Sequence, residues 1–240
     1  MDQPARQSST KAKRGALRPS GGLRWHLRAL WHRRTHDPFR RGIGRFLAGW
    51  DHGCNELVVI GPSAGWFIPG PFLHRVSRLV LIELDTSAPF FFHWRHGRAL
   101  RLAGIAIDWV HEDFVDCLPR FLAASGSQAV LFCNVLGQLG LEREDYEARL
   151  AELPALLAGR RWASFHDRFS ARVSPKIPAD ERAFSSVDPM DGPMLQRLGY
   201  GGEWCDHGTG EILPPGRIRH YLPWRIEPGR LQWIEAGEVR

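Results

Sequence analysis

The sequence predicts an α/β fold, with a doubly wound, mostly parallel seven-stranded sheet between two layers of helices (α/β/α) and a C-terminal antiparallel hairpin. Apolar runs of strand length alternate with helical segments from residue 56 to residue 165, as successive βαβ units require. The first run, 57–60, stops at a glycine-rich turn, and the second, 79–82, stops at an acid. Two later runs, 218–224 and 231–235, flank Pro and Gly in type II turn order, which predicts the hairpin.

The elements between these landmarks follow from caps, breakers and periodicity. Asp37 and Pro38 fit an N-cap followed by Pro at the first helical position, so a helix is expected from there to Gly49. Pro89 supports a further helix start in the same way. The predicted helices cover 38–49, 88–104, 117–124, 141–157 and 190–198, and the remaining predicted strands cover 105–114, 128–133 and 161–165.

The composition indicates a folded chain with a basic N-terminal part. A hydrophobic content of 43% and ten tryptophans in 240 residues are typical of a globular protein with one sizeable core. Residues 1–50 carry twelve Lys or Arg against two acids, whereas 51–240 carries twenty against twenty-four. We expect a disordered basic tail over 1–22, a helical segment over 23–50 and one domain over 51–240. The tail is a candidate for weak contact with polyanions, either nucleic acid or an anionic membrane.

The four cysteines indicate the cellular compartment. They are far apart and form no CxxC pair, which argues against a disulfide framework and against a cysteine-rich zinc site. A reducing compartment, the cytoplasm, is therefore expected, and no metal is predicted. No apolar stretch approaches the roughly 20 residues of a membrane span. The N-terminal charges have no apolar core behind them, so a secretory signal is not expected.

A glycine-rich turn and a downstream acid suggest a nucleoside site. Gly61, Ser63 and Gly65 follow the first strand, and Glu83 follows the second at a distance of 83 − 61 = 22 positions. This is about the spacing that a nucleoside-binding βαβ unit places between its ligand turn and its ribose carboxylate. Asp85 is an alternative to Glu83 as the ribose acceptor. The alternative interpretation is structural: the glycines only form a tight turn, and the two acids lie at a solvent-exposed strand end.

Polar residues also follow the next three predicted strands. Asp113 and Phe114 follow the third, Asn134 the fourth, and His166 and Asp167 the fifth. Because parallel strands end at one edge of a sheet, we expect these residues to share a cleft with the glycine turn. Helix capping by the Asn and structural pairing of the His and Asp are the alternatives.

This order of strand ends resembles the class I S-adenosylmethionine-dependent methyltransferases, a Rossmann-like superfamily. The resemblance covers about residues 51–240, and the stretches EDFVDCLP and CNVLGQL resemble that family after strands three and four. The chain departs from the acid-x-Gly-x-Gly-x-Gly turn of the family at Val59 and at Ser63. The family's sheet is parallel except for its last strand, which inserts as one arm of a C-terminal hairpin.

The resemblance implies S-adenosyl-L-methionine as the cofactor and methyl transfer to an unidentified acceptor, either a small molecule or a macromolecule. The implied cofactor-binding residues are Gly61 and Gly65, with a hydroxyl from Ser63; Glu83 or Asp85; and Asp113 with Phe114. The resemblance implies Asn134 as a residue that faces the reacting groups, and the position of His166 and Asp167 after the fifth strand makes them further catalytic candidates. His166 is the expected base, because an ordinary His pKa near 6.5 suits proton removal at neutral pH.

Two other functions remain open from the sequence. A methyltransferase-like domain that has lost its chemistry could serve as a binding or scaffold module, as the altered glycine turn suggests. Another nucleoside-using transferase, such as an aminopropyl transferase, could use the same sheet. A nicotinamide dehydrogenase is disfavoured, since GPSAGW is not GxGxxG.

Overall fold

The computed structural model describes residues 22–124, 128–137, 145–172, 182–198, 204–227 and 229–240. Nearly all of the predicted tail 1–22 lies outside these ranges. The same is true of the start of the predicted helix 141–157 and of Pro228 in the predicted hairpin turn.

Helices and strands alternate along most of the described chain. The helices are α1 (Leu23–Trp31), α2 (Arg33–Gly49), α3 (Gly70–Leu73), α4 (Ala88–Phe92), α5 (Arg98–Leu102), α6 (Phe114–Ala124), α7 (Tyr146–Leu156) and α8 (Gly192–Arg197), and a π-helical turn, His93–Gly97, joins α4 to α5. The strands are β1 (Glu56–Ile60), β2 (Arg78–Ile82), β3 (Ala106–Val110), β4 (Gln128–Cys133), β5 (Trp162–Arg172), β6 (Phe184–Ser186), β7 (Trp204–Asp206), β8 (Arg219–Glu227) and β9 (Arg230–Val239).

These strands form one sheet in the order β3-β2-β1-β4-β5-β9-β8-β6, with β7 paired to β5. The first five strands are mutually parallel, and β9 inserts antiparallel between β5 and β8. The prediction of a doubly wound sheet with a C-terminal hairpin is confirmed. In addition to the seven expected strands, the sheet contains β6 and β7, which have three residues each. The described residues therefore form a sheet of nine strands.

Helices cover both faces of the sheet. Apolar side chains of α2, α3, α4 and α5 pack on one face, and those of α6 and α7 pack on the other. The strands β1, β2 and β4 contribute alternate residues to both cores, which explains their continuous apolar sequences. The α2 helix lies against the hairpin, where Phe39 stacks on Trp224 with ring centroids 5.0 Å apart.

Several predicted bounds were wrong: for example, the third strand ends at Val110 rather than Phe114, and Phe114 begins α6. Two of these differences have a clear physical cause. The α2 helix begins at Arg33 rather than Asp37, because His36 and Phe39 are buried on either side of Pro38 and their packing stabilises a turn that Pro disfavours. The fifth strand does not end at Phe165. It continues to Arg172 because β9 pairs along its whole length.

Candidate functional site

The turn after β1 lies where the strand order of the sheet reverses. β1 has β2 on one side and β4 on the other, and open α/β sheets bind ligands at the carboxyl ends of strands at such a point. Gly61 begins this turn with a φ of +66°. A Cβ there would collide with Val135 Cγ1 and lie 3.2 Å from the Cys133 carbonyl oxygen, so only glycine fits.

The rest of the turn is held by its own backbone and by Glu83. Ser63 has a φ of +50°, and its N–H donates to Glu83 Oε2 at 2.8 Å. The Gly65 N–H donates to the Pro62 carbonyl oxygen at 2.8 Å, and a Cβ at Gly65 would lie 2.8 Å from His96 Nε2. The structure therefore brings Gly61, Ser63 and Gly65 together with the acid at the end of β2.

Glu83 keeps acceptor capacity that the fold does not use. Its Oε2 accepts from the Ser63 N–H, and its Oε1 accepts from the Asp85 N–H at 3.0 Å. Burial raises the pKa of Glu83, and these backbone N–H groups oppose that shift. A carboxylate has about four acceptor positions, and the Leu84 N–H also acts on this one, so one position remains for a ligand hydroxyl.

Asp85, the alternative ribose acceptor, is occupied by the fold. Its Oδ2 accepts from the Gly22 N–H at 2.8 Å and from His26 Nε2 at 3.0 Å. Its Oδ1 accepts from the N–H and the hydroxyl of Ser87, at 2.8 and 2.6 Å. Burial acts to raise the pKa of Asp85, but these bonds and the nearby His26 outweigh it and lower the pKa. Four donors thus fill the positions of this carboxylate, which fastens the start of α1 to the end of β2.

The α1 helix covers the glycine turn, a role that sequence reasoning left unassigned. Trp25 Nε1–H donates to Ser63 Oγ at 3.1 Å, and Trp66 Nε1–H donates to His26 Nδ1 at 3.1 Å. His26 is fully buried, and its burial lowers its pKa. Because Nδ1 accepts from the indole, Nε2 carries the proton that His26 donates to Asp85.

Asp113 lies between β3 and α6, and Phe114 is the first residue of α6. The Asp113 carboxylate accepts from the Val115 N–H at 3.0 Å, so it caps this helix start. Phe114 is buried and meets the ring of Phe132 edge-on at 5.9 Å. An apolar cavity of about 220 Å³ lies between α6 and α7, and Phe114 and Leu136 form part of its wall.

Asn134 and Asp167 meet beyond the end of β4. Asn134 has a φ of +56°, and its Nδ2–H donates to Asp167 Oδ2 at 3.4 Å. Burial raises the pKa of Asp167 to about 7, against the opposing effects of Asn134 and Arg230. Within the described part of the chain, Asn134 Oδ1 and Asp167 Oδ1 are both buried and have no hydrogen-bond partner.

The surroundings of Asp167 are polar and close-packed. Thr209, fully buried, donates its hydroxyl to the Asp167 carbonyl oxygen at 2.7 Å. A Cβ at Gly137 would lie 3.0 Å from Asp167 Cβ. His207 packs beside Gly137 with Nε2 3.1 Å from Ser170 Oγ, and burial lowers its pKa to about 4. Sequence reasoning did not find Thr209, which carries no motif.

The structure does not bring His166 to Asn134. His166 is fully buried, with Nδ1 2.7 Å from Ser164 Oγ and Nε2 3.6 Å from Glu235 Oε1. Side chains alternate along a strand, so His166 and Asp167 point to opposite faces of β5. The Glu235 carboxylate belongs to a buried network that also contains Arg219 and Tyr221. The expectation that His166 faces the same cleft as Asn134 is therefore corrected.

The described residues contain neither a metal-binding cluster nor a membrane-spanning helix. They contain no group of three or more His, Cys, Asp or Glu side chains arranged to hold a metal ion. Within those same ranges, every helix is too short or too polar to cross a membrane.

The chain was compared with known proteins. No protein-family model matches it, and no curated protein does. Solved structures with a similar fold include the N-methyltransferase NodS from Bradyrhizobium japonicum WM9 in complex with S-adenosyl-L-homocysteine, at 15% identity and TM-score 0.43, covering 86% of each chain. Magnesium protoporphyrin IX methyltransferase (ChlM) from Synechocystis PCC 6803 with bound S-adenosylmethionine matches at 13% identity and TM-score 0.43, covering 87% of this chain and 80% of that one.

The fold class follows from the strand order of the chain itself. Five parallel strands in the order β3-β2-β1-β4-β5, continued by an antiparallel strand inserted from a C-terminal hairpin, form the mostly parallel sheet that the sequence predicted.

Proposed function

We propose that this protein is an S-adenosyl-L-methionine-dependent methyltransferase. The observation that carries the proposal is the junction of the glycine turn with Glu83 at the point where the strand order reverses. The glycines allow the turn its positive φ angles and keep side chains off its backbone, and the acid beside it accepts hydroxyl donors.

Glu83 is the residue that we assign to the ribose diol. Backbone N–H groups of Ser63, Asp85 and Leu84 act on its carboxylate, which leaves it one acceptor position of about four, whereas Asp85 already has four donors. The turn from Gly61 to Gly65 would hold the methionine part of the cofactor. Phe114, beside the apolar cavity, and Asp113 would hold the adenine, an aromatic base with an exocyclic amine.

Asn134 and Asp167 are the residues that we assign to the methyl acceptor. Their unpartnered Oδ1 atoms both accept hydrogen bonds, so they suit an acceptor group that carries N–H or O–H. In the reaction, the nucleophile forms a bond to the methyl carbon as the carbon–sulfur bond breaks and its electron pair stays on sulfur. The proton of the nucleophile would pass to Asp167 Oδ1. Alignment of the two reactants contributes on the order of 7–11 kcal/mol to such reactions.

A binding module without catalysis is the second candidate, and one observation favours it. The α1 helix rests on the turn, with Trp25 on the Ser63 hydroxyl and His26 on Asp85. A domain with this helix fixed in place could present its surface to a partner while excluding the cofactor. A folded protein that does not bind S-adenosylhomocysteine would support this function over methyl transfer.

Titration calorimetry with S-adenosylhomocysteine tests the cofactor assignment. Glu83→Gln should weaken binding by about tenfold to a hundredfold, because it replaces a charged hydrogen-bond acceptor. Glu112→Gln is the matched control, since Glu112 is an exposed acid that follows the neighbouring strand β3 and pairs with Arg120. Equal affinities of the wild type and Glu83→Gln would refute the assignment. Tighter binding of NAD or of decarboxylated S-adenosylmethionine would indicate a different nucleoside enzyme.

A further inference from the structure

The α1 helix carries a second apolar stripe that faces away from the protein. Leu23, Leu27 and Trp31 are 56%, 53% and 86% exposed. They are spaced four residues apart, so they lie along one side of the helix. The buried residues of α1, His26 and Ala29, face the turn and its surroundings instead. Among the described residues, the packing of α1 against the protein therefore leaves this stripe exposed.

Further exposed apolar residues lie on the segments that pack against the inner side of α1. Phe91 stacks under His26 at 4.3 Å and contacts Phe90, which is 72% exposed, at 5.3 Å. Trp94, four residues further on, is 65% exposed. Leu84 is 57% exposed and precedes Asp85, which binds the start of α1. We name the whole set the α1–α4 surface: Leu23, Leu27, Trp31, Leu84, Phe90 and Trp94.

Arginines dominate the charge of the N-terminal segment that carries α1. The described N-terminal residues 22–49 contain seven Arg and one acid, Asp37. The exposed arginines of this segment are Arg24, Arg33, Arg34, Arg40, Arg41 and Arg45. Two arginines of α5 are also exposed: Arg98, which directly follows the π-helical turn, and Arg101. The carboxylates in contact with α1 are already paired: Asp85 with His26, and Glu227 with Arg28. An anionic partner would therefore meet little repulsion.

We propose that the α1–α4 surface docks on a lipid bilayer that contains anionic lipids. Leucine, phenylalanine and tryptophan side chains exposed together on one surface gain free energy by entering the boundary between headgroups and acyl chains. Arginines beside them attract anionic headgroups, each contributing roughly 1 kcal/mol near the surface. The protein lies on the bilayer in this arrangement and does not span it. The inference is independent of the proposed methyl transfer.

Two other occupants fit the surface less well. Single-stranded nucleic acid gains from stacking on aromatic rings, but Leu23, Leu27 and Leu84 offer no ring on which a base can stack. A second copy of the chain would bring an identical set of arginines against the first in a two-fold contact, and like charges would oppose association.

Co-sedimentation with vesicles tests the proposal on the full chain. We expect weak binding to phosphatidylcholine vesicles, stronger binding when phosphatidylglycerol is included, and loss of that gain at high salt. Leu27→Ser and Trp31→Ser should each weaken binding about tenfold, since each removes apolar area that the bilayer would cover. Ile218→Ser is the matched control: Ile218 is 59% exposed but lies beside Gly237 of β9.

Several outcomes would overturn the proposal. Binding that does not depend on anionic lipid, or that Leu27→Ser and Trp31→Ser leave unchanged, would refute this surface. Release of the protein from vesicles by single-stranded DNA at a concentration matched in charge would favour nucleic acid. Dimerisation that Trp31→Ser abolishes would favour a second copy. Arg24→Glu, an exposed charge reversal, should weaken binding independently of the apolar variants, and unchanged binding of this variant would contradict the role of charge.

Discussion

Asp167 is the residue on which the proposed chemistry most directly depends, because it is a buried acid with an oxygen that the fold leaves unpaired. Its pKa of about 7 makes it a weak acid that exchanges its proton near neutrality. His207, close by, is held neutral by a pKa of about 4 and so adds no positive charge there. This combination suits a base that must be ionised to work but that lies away from water.

The pH dependence of stability tests the pKa of Asp167. The folded-state pKa is raised from 3.8 to about 7, so between these values the unfolded chain is ionised while the folded chain remains protonated. Stability should fall as pH rises from about 4 to about 7 and then stay constant, by on the order of a few kcal/mol. Asp167→Asn should lack this loss, so its melting temperature relative to the wild type should increase between pH 4 and pH 8. If the difference in melting temperature between Asp167→Asn and the wild type did not change with pH, the pKa of Asp167 would be ordinary.

The same group should control turnover. Release of S-adenosylhomocysteine, measured with a panel of amines, phenols and thiols as acceptors, should rise with pH through about 7, because the ionised carboxylate accepts the proton. Asp167→Asn should reduce turnover by about a hundredfold or more while cofactor affinity stays the same. A flat pH profile in the wild type would argue against Asp167 as the base.

Gly61 illustrates how a single backbone position determines the shape of the turn. Gly61→Ala should destabilise the protein by roughly 3 kcal/mol or more, since it adds a collision with Val135 to the strain of a positive φ. Gly216→Ala is the control, because Gly216 has a φ of +76° but nothing within 4 Å of a Cβ, so it should cost only roughly 1–2 kcal/mol. Chemical unfolding measures both, and equal losses would show that Val135 moves aside.

At the scale of elements, α1 is the segment that most affects access to the site. Hydrogen bonds with Asp85, Ser63 and Trp66 hold its inner side over the turn, whereas its outer side chains Leu23, Leu27 and Trp31 are exposed. Elements with few buried contacts open at low free energy. We therefore regard α1 as the cover that must move when a cofactor enters.

His26 is the residue through which this cover can be loosened. His26→Phe removes the bonds to Asp85 and Trp66 while keeping an aromatic ring against Phe91. Amide hydrogen exchange over 23–31 should become faster, and exchange in β1 and β4 should remain slow. His74→Phe, a change at an exposed position, is the control. Faster exchange throughout the protein in His26→Phe would show general destabilisation instead.

At the scale of the whole molecule, the sequence predicted what depends on local pattern. The strand β4 was predicted at its observed bounds because it is a continuous apolar run between polar segments. The contact of Trp25 with Ser63 joins residues 38 positions apart, and no local pattern encodes it. The sequence also did not predict the length of β5, since that length depends on pairing with β9. That extension placed His166 and Asp167 inside a strand and therefore on opposite faces.

The network around Glu235 joins the C-terminal hairpin to the parallel part of the sheet. Glu235 on β9 contacts His166 on β5 and both Arg219 and Tyr221 on β8. Burial acts to raise the pKa of Glu235, but its bonds to these partners lower it, so the carboxylate is ionised at neutral pH. The strands that carry these partners, β5 and β8, lie on either side of β9. Loss of the Glu235 carboxylate therefore affects the whole sheet.

Glu235→Ala should lower the free energy of unfolding by about 3–5 kcal/mol, because it leaves the Arg219 charge buried without its partner. Glu238→Ala is the control on the same strand, since Glu238 pairs with the exposed Arg240 and its loss should cost about 1 kcal/mol or less. Binding of S-adenosylhomocysteine by the folded fraction should be the same in both variants, because the network lies on the opposite face of β5 from Asp167.

His166→Asn separates the two roles of His166. A loss of stability with normal turnover in the folded fraction is expected from its place in the network, whereas a loss of turnover at unchanged stability would restore His166 as the base.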